Sequence, residues 1–99
     1  MAMRPSEALA RHRDEVRAII ARYPVSNPRV FGSVARGEDV DGSDLDILVD
    51  GRHGETTFVH LDGLQSDISE LLGVPVDIMT PGGFSEPVAA RVRRDVRPL

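Results

Sequence analysis

The chain has no cysteine, no tryptophan and, among its twelve basic residues, no lysine. The missing cysteines exclude disulfides and thiolate metal sites. The exclusive use of arginine reads as the mark of a GC-rich genome rather than a choice made site by site. Aromatics are scarce, with one Tyr and three Phe, and Tyr23, Phe31 and Phe58 are expected in the core rather than as a base-stacking platform. No apolar run approaches the ~18 residues that span a bilayer, and the N-terminus turns amphipathic without a signal-peptide core. The expectation is a cytoplasmic protein with no membrane association. A net charge of −4 argues against stable nucleic-acid binding, because phosphate contacts need a basic face.

What remains is a 99-residue chain, read as a single domain over residues 1–99. Charge is unevenly spread. Six acids and no base fall between Glu38 and Asp50, and four Arg with one acid between Arg91 and Arg97. The first cluster suits a cation and the second an acidic partner, although solvated surfaces also carry such runs.

Hydrophobic periodicity predicts the elements. Leu9, Val16, Ile19, Ile20 and Tyr23 form one helical stripe over residues 5–23. Pro24 and Pro28 then carry a loop into a short strand at 29–33 and a helical turn at 34–37. Residues 38–43 form an acidic loop. In the strand at 44–50, Leu45, Ile47 and Val49 face one way and Asp44, Asp46, Leu48 and Asp50 the other. Residues 56–72 give the clearest amphipathic helix, with Phe58, Leu61, Leu64, Ile68, Leu71 and Leu72 apolar and Gly73 just past its end. A strand at 74–79, at an edge because of Pro75, and a last helix at 86–94 complete the chain. The order helix, strand, strand, helix, strand, helix predicts a small mixed sheet backed by helices, in the α+β class.

Three features carry chemistry. Gly32-Ser33 ends a strand, where a glycine lets phosphate approach the backbone and the hydroxyl can donate to it. Asp44 and Asp46, two apart on a strand, can reach one metal site, and their hard oxygens suit Mg²⁺. Asp77 stands alone in an apolar strand, where an unpaired carboxylate is costly to bury. Each is common singly: a turn, a solvated loop, an exposed edge residue. Their combination is specific, with ten residues between Ser33 and Asp44 and a later in-strand Asp77.

The runs Phe31-Gly32-Ser33-Val34-Ala35-Arg36-Gly37 and Ser43-Asp44-Leu45-Asp46-Ile47-Leu48-Val49, with Val76-Asp77-Ile78-Met79-Thr80-Pro81, resemble the DNA polymerase β-like nucleotidyltransferases. They are closer still to the minimal, MntA-like members paired with HEPN-domain partners in toxin–antitoxin modules. The resemblance implies a polymerase β-like palm fold, with ATP as substrate and two Mg²⁺ ions. Gly32 and Ser33 would hold the β- and γ-phosphates, and Asp44 and Asp46 would ligate the metals. Asp77 would ligate the catalytic ion and help deprotonate the attacking hydroxyl. With the nucleotide-binding residues go Arg36, contacting phosphate or holding the acidic loop, and Ser43, capping the turn before Asp44; a surface ion pair to Glu38 or Asp39 is the alternative for Arg36. His12, His53 and His60 are scattered and take no role. The implied activity is transfer of AMP from ATP to a Tyr hydroxyl of a HEPN toxin, within a hetero-oligomer. Two other readings stand beside it. One is a non-catalytic antitoxin that sequesters the toxin through Arg91, Arg93, Arg94 and Arg97. The other is a small-molecule nucleotidyltransferase.

Overall fold

The computed structural model describes residues 3–99. Helix α1 spans Pro5–Ile20, strand β1 Val25–Phe31, helix α2 Gly32–Arg36 and strand β2 Leu45–Gly51. Helix α3 follows at Phe58–Leu72, strand β3 at Val76–Met79, helix α4 at Val88–Asp95 and strand β4 at Arg97–Pro98. The strands form one mixed sheet in the order β3-β2-β1-β4. β2 runs antiparallel to β1 and parallel to β3, and β4 pairs antiparallel with β1. No helix is long and apolar enough to cross a membrane, among the described residues.

The period-two pattern of β2 divides the molecule. Leu45, Ile47 and Val49 are fully buried and meet Leu9, Val16 and Ile20 of α1 and Leu64 and Ile68 of α3. Burial of such side chains contributes about 1.5–3 kcal/mol each, so this face carries the stability. Leu48 points the other way, into a smaller cluster with Phe31 and Val92, edged by Met79, Phe84, Val88 and Val96. Phe84 meets Phe31 edge to face at 5.4 Å, a favoured aromatic geometry. Asp46 lies on this second, thinner face.

Several expectations need correction. Pro28 lies inside β1 rather than in a loop: the register slips between Ser26 and Arg29, with Asn27 at positive φ, and a bulge tolerates a residue lacking N–H. Phe58 is not core. It is 85% exposed, because it opens α3 beside the turn at 51–54, where it lines open cavities rather than packing into the core. Phe31 is buried, whereas Tyr23 is half-buried and donates to Asp67 at 2.6 Å. β4 is unanticipated: two residues, one a proline, carry no periodic signal, yet they pair with Arg29 and Val30 and bury Leu99. β3 begins after Pro75, at the sheet's edge, and Gly73 ends α3 in the left-handed conformation.

One acid of the 38–50 cluster is structural. Asp39 is buried, and its carboxylate accepts the Ser6 main-chain N–H at 2.8 Å, an orphan donor in the first turn of α1. Burial pushes its pKa up, but the Ser6 hydrogen bonds outweigh that and hold it below the ordinary value. Asp39→Ala should cost about 1 kcal/mol, the usual loss of a helix cap, read by urea denaturation at pH 7. Because the folded pKa is lowered, wild-type stabilisation is present above the unfolded pKa and lost as pH falls through the folded one. The gap between the proteins should therefore close in acid; a gap persisting there would show that the loss is packing, not capping.

Candidate active site

Three residues share one rung across the sheet. Phe31 of β1 is opposite Asp46 of β2, and Asp46 is opposite Asp77 of β3. Gly32 follows Phe31 and turns the chain into α2 at φ +71°. A Cβ built on Gly32 would collide with an Asp46 carboxylate oxygen. Glycine is therefore required twice, for its left-handed backbone and for the space the carboxylate occupies. Ser33 follows in the first turn of α2, where main-chain N–H groups lack intrahelical acceptors.

Asp46 is half-buried, and its pKa is pushed up to about 6, first by burial and then by the negative charges of Asp77 and Asp44. Asp50, on the same face four residues on, is treated differently. Arg29 donates to it at 3.0 Å and Asn27 at 3.2 Å. Asp46, by contrast, has no hydrogen-bond or ion-pair partner among the described residues. Asp77 is exposed on the edge strand, and Asp44 is exposed one residue before β2 begins. Among the described residues, no three His, Cys, Asp or Glu side chains are gathered as a ready ligand set. Asp46 and Asp77 are brought together, and Asp44 lies close enough for its charge to be felt. Acceptor-only oxygens held together without a base are the donor set that a hard divalent cation takes.

Arg36, the nearest base, is committed elsewhere. It reaches Asp95 of α4 at 3.0 Å and Glu38 at 3.5 Å, so it ties the acidic loop to α4, and its charge lowers the Asp46 pKa only as the smallest of the influences. Ser43 accepts the Val40 N–H at 2.9 Å and closes the loop just before Asp44. Nothing in the sequence separates Asp39 from the other five acids; only the fold shows it facing α1 rather than the rung. The histidines lie apart from the rung, His12 against Glu15 and His60 against Thr57.

A family model described as a nucleotidyltransferase domain matches residues 9–99. The chain belongs to the nucleotidyltransferase family. This nucleotidyltransferase is 34% identical over 88 residues to the protein adenylyltransferase MntA of Thermococcus cleftensis, covering 89% of this chain and 85% of that one. A solved structure described as a minimal nucleotidyltransferase superposes with a TM-score of 0.81 at 38% identity, over 100% of this chain and 97% of the other. A toxin–antitoxin crystal structure with AMP-PNP shares the fold, with a TM-score of 0.72 at 17% identity, over 86% of this chain and 69% of that one.

The raised carboxyl makes a prediction about stability. Between about pH 4 and 6 the folded protein keeps a proton on Asp46 that the unfolded chain releases, so stability falls as pH rises through that window. Asp46→Asn removes the penalty while keeping the shape. With the group half exposed and solvent-screened, the variant should be about 1 kcal/mol more stable than wild type at pH 7.5 without divalent cations. The two should converge below pH 4, as read by thermal melts across pH. Gly32→Ala should do the reverse, losing about 2 kcal/mol or more at pH 7.5 through strain and the displaced carboxylate.

Proposed function

We propose that residues 1–99 form one catalytic domain, a cytoplasmic Mg²⁺-dependent protein adenylyltransferase. It moves AMP from ATP to a hydroxyl of a toxin partner, with a Tyr of a HEPN-domain protein as acceptor. The observation that carries this reading is the Asp46 carboxylate, set against the Gly32 turn and beside Asp77 with no basic partner among the described residues. That arrangement is costly for a structural acid and useful for a metal–nucleotide site. The likeness to the protein adenylyltransferase MntA and to a toxin–antitoxin structure carrying an ATP analogue supports the choice of nucleotide and of partner class.

In this reading Asp44, Asp46 and Asp77 hold two Mg²⁺ ions. Those ions would supply charge stabilisation for the attacking and leaving oxygens of an in-line displacement. The protein does the rest. Gly32 lets the β- and γ-phosphates approach the main chain, and the Ser33 hydroxyl and the N–H groups of its turn donate to them. Arg36 and Ser43 keep the acidic loop closed at the nucleotide end, so that Asp44 enters the site from a fixed turn. Asp77, on the open edge, faces the acceptor and takes its proton. The acceptor oxygen bonds to the α-phosphorus, the α–β bridging bond breaks, and pyrophosphate leaves toward Ser33.

The test is intact-mass spectrometry of the partner after incubation with this protein, ATP and Mg²⁺. One or more AMP increments are expected. They should vanish with EDTA, and Asp44→Asn or Asp46→Asn should lower the rate by at least about 10³-fold. An unmodified partner that is nonetheless neutralised equally by the wild type and the Asp46→Asn variant would instead establish sequestration.

A further inference from the structure

The face of the sheet that carries Asp46 also carries α4, and between α2 and α4 lies a cleft of about 470 Å³. Gly32 forms one lip. Phe31, Val88 and Val92 give it an apolar floor, and Arg36, Arg91 and Arg94 its charged wall. Arg91 and Arg94 are three residues apart and so share one side of α4. The other arginines of the C-terminal run are engaged. Arg93 is held by Glu86 at 3.1 Å, and Arg97 donates to main-chain carbonyls. Arg91 and Arg94 have no acidic or carbonyl partner among the described residues. The one acid in the cleft, Asp95, is taken by Arg36.

Gly32 thus divides two fields of opposite sign. On one side stand Asp44, Asp46 and Asp77. On the other stand two unpartnered guanidinium groups beside a third. A ligand spanning that glycine must present a cation-bound group to the acids and a multiply charged anion to the arginines. We propose that Arg91 and Arg94 form a polyphosphate-binding arm of the active site, gripping the tail of the nucleoside triphosphate and then the departing pyrophosphate. Guanidinium groups are suited to this, because each can donate two parallel hydrogen bonds to phosphate oxygens. The arm rests on the reading of the site as one for a metal–nucleotide complex, and adds α4 to a site whose sequence motif ends at Asp77. It also gives the basic C-terminal run a role inside the site rather than on a partner-facing surface.

Calorimetry with tripolyphosphate, which has the tail but no nucleoside, isolates the arm. In the presence of Mg²⁺ the intact protein should bind both tripolyphosphate and ATP. Arg91→Gln with Arg94→Gln should weaken tripolyphosphate binding by about tenfold or more, while a double Lys replacement should recover part of it. Both side chains are exposed, so the melting temperature should hold. In turnover the Gln pair should raise the KM for ATP and leave the KM for the acceptor unchanged. Equal tripolyphosphate binding by wild type and variant would overturn the arm, as would a wild type that binds ATP but not tripolyphosphate. So would a variant whose defect is confined to partner affinity, which would make this surface a protein interface. A wild type that binds neither ligand would instead remove the nucleotide reading itself.

Discussion

The close approach of the Asp46 carboxylate to Gly32 constrains more of this structure than any other contact. An acid half-buried without a cation is expensive, and a neighbouring acid raises the expense. It persists here because the rest of the fold determines its place. Leu45 and Ile47 on either side of it are fully buried, so β2 cannot slip by one residue without sending both to the thinner face and Asp46 into the main core. β1 is in register against it, which fixes Phe31 opposite Asp46 and the turn at Gly32 beside it. Any side chain at position 32 would have to take the space of the carboxylate.

The two faces of the sheet divide the work. α1 and α3 close one face with aliphatic packing. The other is covered more thinly, by α4 and a few large side chains, leaving room beside Asp46. Around that room the chain uses its charges selectively. Asp39 is spent on α1, Asp50 on Arg29, and Glu38 and Asp95 on Arg36. Asp44, Asp46 and Asp77 are left without hydrogen-bond or ion-pair partners for their side chains among the described residues, at and beside one end of the rung. Arg91 and Arg94 are left likewise across Gly32. A surface built only for solubility would pair or scatter these charges. Here the unpaired ones are sorted by sign about a single glycine.

The sequence made the buried face legible because burial imposes period. Leu45, Ile47 and Val49, and the α3 stripe of Leu64, Ile68 and Leu72, follow the spacing that their neighbours require. Gly32-Ser33 and Asp44-x-Asp46 were readable as a pair because their spacing is short and local. Where tertiary context decided the outcome, local pattern was silent. Pro28 lies in a strand because a bulge accepts it. Phe58 is exposed because no element among the described residues covers the first turn of α3. Arg97-Pro98 is a strand only because β1 offers an edge. The same reason hides the sorting of charges: six acids in thirteen residues look alike until the fold turns Asp39 toward α1 and Asp46 toward Gly32.

The geometry also bears on what can serve as acceptor. In the proposed reading the glycine, the acidic rung and α4 surround the nucleotide on the β1 side of Asp46. On the other side β3 is the edge of the sheet among the described residues, and Asp77 stands exposed there, lining an open hollow with Gln65, Ser66 and Ser69 of α3. A free small molecule arriving there would meet an open hollow rather than an enclosing pocket, and poorly oriented reactants forgo most of the advantage of a bound nucleotide. A hydroxyl already fixed on the surface of a folded partner brings its own orientation, and the partner's bulk can cover the open edge. In the proposed reading, the openness of β3 favours a macromolecular acceptor, whose surface would supply the missing wall of the site.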